Sequence, residues 1–138
     1  MSYKIIGKYI KKLSFEIPNT KAFFFLSKNI SNYKINIDIK SSQVKESIIE
    51  IQTKLFLTPI KENFEKIDTQ IEYSTVVQLD NELDKEEIKK IILVKIPTKI
   101  YPEIRKIFVF LFENSGFKDV KINEVVDFEK LYKLKSVQ

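Results

Sequence analysis

The stretch YKINIDIK, residues 33–40, alternates regularly between apolar and polar side chains. In an extended chain its apolar set falls on one face and its polar set on the other, so this period of two predicts a strand with one buried face. The apolar set consists of Tyr33, Ile35, Ile37 and Ile39.

Three further segments carry apolar residues at strand-like spacing, namely residues 3–17, 49–57 and 64–79. Four strands in succession, with polar turns between them, predict an antiparallel sheet with one apolar face. The segment AFFFLS, residues 22–27, has no clean period, and we interpret it as a connection that carries its own apolar anchors.

Beyond Leu79 the apolar period becomes helical. Asp84 is the expected N-cap of a short helix that Pro97 closes, and Thr98 is the expected cap of a longer helix reaching Ser115. Gly116 suits the left-handed position after that helix, and Asp127 is the expected cap of a last helix. We therefore expect a single α+β domain over residues 1–138, with two main helices packed on one face of the sheet.

The middle of the longer predicted helix is apolar on every side. A helix that covers one face of a sheet normally keeps one polar side, so this composition predicts a second copy of the chain as a partner. An alternative is that Val109 and Phe110 lie beneath residues 117–126 of the same chain. The expected oligomer interface consists of Phe108, Val109, Phe110 and Phe112.

The composition excludes most catalytic chemistry. The 138 residues include no His, no Cys and only two Gly, so a histidine base, a thiolate or zinc site and a glycine-rich phosphate loop are all absent. We expect a protein that is not an enzyme, with no catalytic residues, no metal and no cofactor. Adjacent carboxylates such as Glu86 and Glu87 are interpreted as a solvated surface.

The net charge of +5 suggests nucleic acid as a ligand, but the charge pattern favours another interpretation. Nineteen carboxylates are interspersed among the lysines, and Arg105 is the single arginine available for bidentate phosphate or guanine contacts. A solvated lysine surface is the favoured interpretation, and a basic nucleic-acid-binding module remains the alternative from a different class. Since no apolar run is long enough to span a bilayer, we expect a soluble cytoplasmic protein that does not insert into membranes.

Five segments resemble, in order, the protein-export chaperones of the SecB family. YIKKLSFEIPN (residues 9–19) resembles the family's first strand, and INIDIKSSQ (35–43) its second. IEY (71–73) resembles a triplet of its fourth strand, and IPTKIYPEIRK (96–106) the two-proline start of its long helix. GFKDVKINEVVDFEKLY (116–132) resembles the loop and the start of its last helix.

This resemblance implies both an assembly and a function. It implies a four-stranded antiparallel sheet with two helices on one side, assembled as a dimer of dimers. It also implies an ATP-independent holdase that binds unfolded preproteins and delivers them to the SecA translocation motor. A chaperone of the same fold dedicated to one client, such as an antitoxin, is the alternative within the family.

The resemblance also implies positions for the binding surfaces. SecA docking is implied for Glu16 and Glu72 on the outer sheet face, where Lys12 and Gln70 depart from the family pattern. A groove for clients is implied as well, and for its strand residues Ile35, Ile37 and Ile39 the alternative interpretation is ordinary sheet core beneath the helices. The implied client groove consists of Phe24, Phe25, Ile30, Tyr33, Ile35, Ile37, Ile39, Phe128, Leu131 and Tyr132.

Overall fold

The computed structural model describes residues 2–30, 33–60, 67–117 and 122–137. Residues 64–66, with which the fourth strand was expected to begin, lie outside these ranges. The elements in chain order are β1 (Tyr3–Glu16), α1 (Thr20–Asn29), β2 (Tyr33–Lys45), β3 (Ile48–Pro59), β4 (Asp68–Leu79), α2 (Lys85–Lys90), a π-helical segment (Ile91–Lys95), α3 (Ile96–Asn114) and α4 (Phe128–Val137).

The four strands form one antiparallel sheet in the order β1-β4-β3-β2, which confirms the predicted sheet. Strands β2, β3 and β4 follow one another as a meander, whereas β1 pairs with β4 and lies far from β2. The connection expected between β1 and β2 therefore carries the chain from one edge of the sheet to the other. These two strands form the edges of the sheet.

Helix α1 occupies the segment that we expected to be an irregular connection. Its start is fixed by Asn19, whose side-chain oxygen accepts a hydrogen bond of 2.8 Å from the backbone N–H of Ala22. Ala22 and Leu26, four residues apart, are the buried face of this helix. Phe23 packs against Phe117, while Phe24 points outward and is 64% exposed.

Helices α2 and α3 are one continuous helical stretch, so the expectation that Pro97 ends the first of them is wrong. Proline provides no N–H and its ring crowds the carbonyl four residues back, which normally breaks an α-helix. Here the turn just before Pro97 is wider, and the N–H of Ile96 donates to the carbonyl of Ile91, five residues back. This π segment lets the chain pass Pro97 without losing its helical path.

The core lies between α3 and one face of the sheet. Phe108 and Phe112 of α3 are completely buried in the single chain, so the expectation that these two line an oligomer interface is corrected: their surface is already occupied. Val109 packs partly against the core, and Phe110 is 61% exposed. The fully buried aliphatic partners in this core include Ile51, Leu55, Ile71, Val77, Ile96, Ile100 and Ile104.

Gly116 follows α3 with a φ of +91°, the left-handed conformation predicted for it. A Cβ at this position would also lie 3.3 Å from the Phe23 ring, so a larger residue would strain the backbone and crowd that ring. None of the described helices is both long enough and apolar enough to cross a membrane.

Candidate functional site: a groove between β2 and α4

Helix α4 lies beside edge strand β2, and its first turn fixes that position. Asp127 caps the helix as predicted, since its carboxylate accepts a hydrogen bond of 3.0 Å from the N–H of Lys130. Phe128 is almost fully buried and meets the ring of Tyr101 edge to face, with centroids 6.0 Å apart. Leu131, one turn further, is left 43% exposed.

The larger cavity between these elements has a volume of about 520 Å³. Two hydrogen bonds tie its far wall to α3: the Tyr101 hydroxyl donates to the Asn123 carbonyl at 2.6 Å, and Nε of Arg105 donates to the Ile122 carbonyl at 3.1 Å. Burial raises the pKa of Tyr101, which keeps its hydroxyl protonated as a donor. The lining residues are Tyr33, Lys34, Ile35, Asn36, Ile37, Tyr101, Ile122, Asn123, Val126 and Leu131.

A smaller cavity of about 110 Å³ continues along the same strand. Because Ile37 and Leu131 line both cavities, the two form one open depression, which we call the β2–α4 groove. Its smaller part is mainly apolar. The lining residues there are Ile37, Ile39, Leu93, Phe128, Leu131 and Tyr132.

The second turn of α4 is held to α2 by exposed polar contacts. The Tyr132 hydroxyl donates to Glu86 at 3.0 Å, and Lys90 lies 3.8 Å from Glu129. The hydrogen bond to Glu86 raises the pKa of Tyr132. Both contacts are exposed to solvent and therefore weak, so the burial of Phe128 is the main anchor of this helix.

The structure brings together seven of the ten residues expected in a client groove. Phe24, Phe25 and Ile30, which lie in α1 or directly after it, are not among the described residues that line the groove. Tyr101, Leu93 and Val126 line it without having been expected there. The seven residues are Tyr33, Ile35, Ile37, Ile39, Phe128, Leu131 and Tyr132.

The β2 isoleucines combine the two interpretations that the sequence left open. Ile35, Ile37 and Ile39 are each partly buried and pack against the core. Each also lines the groove, because β2 is an edge strand and, among the described residues, no further strand pairs with its outer side. They are therefore sheet core on one side and groove wall on the other.

The outer face of the sheet carries both of the expected SecA-docking residues. Glu72 lies directly opposite Lys12 on β1 and Lys54 on β3, so two lysines flank it. Glu16 lies opposite Asp68 at the end of the same ladder, roughly 13 Å from the position of Glu72 at strand spacing. Glu72 between two lysines, and the two carboxylates at the end of the ladder, interrupt the cationic surface that the nucleic-acid alternative requires.

A polar cluster around Glu50 was not foreseen from the sequence. The Tyr9 hydroxyl donates to one carboxylate oxygen of Glu50, and Gln52 donates to the other at 2.9 Å. Lys11 lies 3.4 Å from the same carboxylate. The hydrogen bond from Tyr9, followed by those from Gln52 and Lys11, lowers the pKa of Glu50 to about 2.

Register irregularities after Ile5 and Ile10 explain why this cluster is hard to foresee. Each inserts an extra residue into β1 and reverses the alternation of faces. Tyr9 and Lys11 can therefore both reach Glu50 on β3 across the intervening strand β4.

An antiparallel sheet with helices on one face and an open groove along its edge strand has a shape suited to an extended polypeptide segment. The family model described as "Preprotein translocase subunit SecB" matches residues 1–138. The chain therefore belongs to the SecB family.

Relatives named as protein-export protein SecB support this membership. A protein of Pelagibacter ubique (strain HTCC1062) is 43% identical over 133 residues, covering 96% of this chain and 95% of the relative. One from Anaplasma phagocytophilum (strain HZ) is 27% identical over 142 residues, covering 94% and 89%.

A solved structure shares the fold. It is the Mycobacterium tuberculosis Rv1957 SecB-like chaperone in complex with a ChAD peptide from the Rv1956 HigA1 antitoxin. The TM-score is 0.62 at 10% identity, with 91% of this chain and 88% of the other covered.

Proposed function

We propose that this SecB-family chain is an ATP-independent holdase that binds unfolded preproteins in the β2–α4 groove and delivers them to SecA. The observation that carries the proposal is the groove itself, an open depression along the edge strand whose lining is mixed in its larger part and mainly apolar in its smaller part. Holding an unfolded segment needs apolar surface and tolerant shape, and it needs no nucleophile or metal. Because preproteins are captured before translocation, we place this activity in the cytoplasm.

The affinity of the groove depends on how many client side chains it buries at once. Each client side chain buried there contributes roughly 1.5–3 kcal/mol. About four to six such contacts, after the cost of ordering the client, give micromolar binding, about −8 kcal/mol. Repetition of the groove over several copies would raise the avidity further.

The test combines Ile37→Asp with Leu131→Asp, which places two carboxylates in the groove. We expect affinity for a reduced, unfolded client to fall by about tenfold or more, because each charge must be desolvated when an apolar segment binds. Isothermal titration calorimetry measures the affinity. Leu131→Asp alone provides a second variant that leaves the partly buried Ile37 in place.

Phe24→Asp is the matched control, since Phe24 is an exposed apolar residue that is not among the described residues lining the groove. Its client affinity should equal that of the unmodified chain. An equal loss in Phe24→Asp, or full affinity in both groove variants, would contradict the proposal.

We propose further that the chain forms a homotetramer through β1 and α3. Lys8 contacts Glu103 at 2.8 Å, and Phe15 meets Phe112 edge to face, so α3 runs beside β1. The surface near these contacts exposes Ile10 and Leu13 of β1 and Phe110 of α3. An unpaired strand edge beside exposed apolar side chains is suited to pairing with a second copy.

SecA docking is proposed for the outer face around Glu16 and Glu72. The two lysines opposite Glu72 reduce its negative potential, so a basic partner should bind weakly and with a shallow salt dependence. Binding of the C-terminal region of SecA at two ionic strengths tests this, with Glu72→Lys expected to weaken it and Glu113→Lys on α3 as the control.

A chaperone dedicated to one client is the second candidate, favoured by the solved neighbour that holds an antitoxin peptide. A panel of unrelated unfolded clients separates the two. Comparable affinity across the panel supports the general holdase, and binding of a single client supports the dedicated chaperone.

A further inference from the structure

The π segment (Ile91–Lys95) forms part of the wall of the β2–α4 groove. Its residue Leu93 lines the smaller part of the groove, together with Ile37 and Ile39 of β2. The segment packs against both β2 and α4, the two elements between which the groove lies. A change in the winding of this segment would therefore alter the groove directly.

Leu93 differs from its neighbours in the π segment by the surface to which it contributes. Ile91 is buried in the core, and Ile92 and Val94 pack against that core from partly buried positions. Leu93 is also half-buried, but among the described residues it is not one that packs against the core. It is thus the apolar residue of this segment that belongs to the groove.

The winding that places Leu93 in the groove depends on Pro97. In a regular α-helix the carbonyl of Leu93 would accept a hydrogen bond from residue 97, but proline has no N–H and its ring would crowd that carbonyl. The π turn, in which the N–H of Ile96 donates to the carbonyl of Ile91, has one residue more than an α turn. Since each residue of an α-helix turns the chain by about 100°, removing that residue would rotate Leu93 by about 100° relative to α3.

The smaller part of the groove is narrow enough to select among client side chains. Its volume is about 110 Å³, whereas an apolar cavity that holds a benzene ring has a volume of about 150 Å³. A branched aliphatic side chain fits the smaller volume, and a phenyl ring exceeds it. Ile37, Ile39 and Phe128 of this wall also belong to the core packing, so Leu93 is the wall residue whose size can change without a cavity in the core.

We propose that Leu93, positioned by the π turn before Pro97, is a specificity-determining residue of the groove. It limits the smaller part of the groove to branched aliphatic client side chains and excludes aromatic rings from it. Truncating Leu93 would open this part to a ring, and converting the π turn to an α turn would remove Leu93 from the wall. This inference rests on the proposed function, since it assigns a selectivity to the groove in which clients are proposed to bind.

The probes are two short fluorescein-labelled peptides rich in serine and glycine, one with four leucines and the other with four phenylalanines in the same positions. In methyl-detected NMR of the unmodified chain, the leucine peptide should shift the signals of both Leu93 and Ile35, because leucine side chains fit both parts of the groove. The phenylalanine peptide should shift the signal of Ile35, which lines the larger part, and leave that of Leu93 in place.

Leu93→Ala should change the ratio of the two affinities by roughly tenfold or more in favour of the phenylalanine peptide, since an apolar pocket discriminates by about that factor for a single methylene group. Fluorescence anisotropy measures both affinities. Ile35→Ala is the matched control, because it shortens an aliphatic wall residue in the larger part of the groove. It should weaken both peptides and leave their ratio within about twofold of that of the unmodified chain.

Deleting Lys95 together with Pro97→Ala tests how Leu93 is positioned, because the extra residue and the ring that requires it are then both removed. The helix should become regular, and the ratio should change in the same direction as in Leu93→Ala. Pro97→Ala alone keeps the extra residue between the buried Ile91 and Ile96, so it should keep the ratio of the unmodified chain. If the deletion variant does not fold, Leu93→Ala decides the role of the side chain.

Two results would overturn the selectivity of Leu93 and leave the proposed function in place. The first is an equal shift of the Leu93 signal by the two peptides. The second is an unchanged affinity ratio in Leu93→Ala while Ile35→Ala weakens both peptides. Full affinity for both peptides in Leu93→Ala and in Ile35→Ala would overturn the proposed function as well, because the peptides would then bind outside the groove.

Discussion

Glu50 shows how a single residue changes the electrostatics of the outer sheet face. Tyr9, Gln52 and Lys11 all donate to its carboxylate, and the pKa falls from an ordinary 4.5 to about 2. A lowered pKa means that the folded state favours ionised Glu50. The resulting stabilisation is complete above about pH 4.5 and is lost as the pH falls towards 2.

Tyr9→Phe should raise the pKa of Glu50 towards 4.5, because the largest cause of the shift is removed. Carbon-detected NMR titration of the carboxyl group measures this directly. The variant should lose about 0.5–1 kcal/mol of unfolding free energy at neutral pH, with the difference shrinking as the pH approaches 2. Tyr3→Phe, which removes a hydroxyl elsewhere on β1, is the control, and an unchanged Glu50 pKa in Tyr9→Phe would contradict the assignment.

Among the elements, α4 depends on its cap for its position beside the groove. Asp127→Ala removes the hydrogen bond to Lys130 and should cost about 1 kcal/mol in the stability of the helix. We expect faster hydrogen exchange of the α4 amides and weaker client binding, because the wall carrying Leu131 is less ordered.

The matched control is Asp84→Ala, which removes the corresponding cap of α2, an element that does not line the groove. Client affinity should be unchanged in this variant. Equal losses in the two variants would show that the position of α4 does not set the affinity.

An element can be predicted when the pattern of its own residues favours the structure that it adopts in the fold. In residues 33–40 every position supports one strand, and the structure has that strand. In α1 the sequence does contain a helix pattern, with Asn19 as the N-cap and apolar Ala22 and Leu26 four residues apart. The run of three phenylalanines, residues 23–25, obscures that pattern. A proline normally ends a helix, but at Pro97 the preceding π segment allows the helix to continue. No sequence pattern predicts that segment.

Local sequence patterns also determine which groove residues could be predicted. Ile35, Ile37 and Ile39 follow from alternation together with the family resemblance. Tyr101 does not, because its place depends on a hydrogen bond to Asn123, 22 residues away. Such a contact exists only after the chain has folded.

At the scale of the whole molecule, the exposed apolar surface beside β1 predicts self-association. Leu13→Asp combined with Phe110→Asp should reduce the mass measured by light scattering from about four copies to a smaller species, since charges would enter the buried interface. Phe24→Asp should keep the larger mass. A monomeric unmodified chain, or a tetramer that survives both substitutions, would contradict the proposed interface.

The pairing of β1 with β4 also gives this fold a high contact order. Tyr3 of β1 pairs with Leu79 of β4, so these partners are far apart in sequence. Strands β2 and β3, in contrast, are joined by a tight turn and pair over a short sequence separation. We expect the β2–β3–β4 meander to gain protection first in pulsed hydrogen exchange, and β1 to gain it last. During its own synthesis, a chain proposed to hold unfolded proteins would thus keep its first strand unpaired until most of the sheet has emerged.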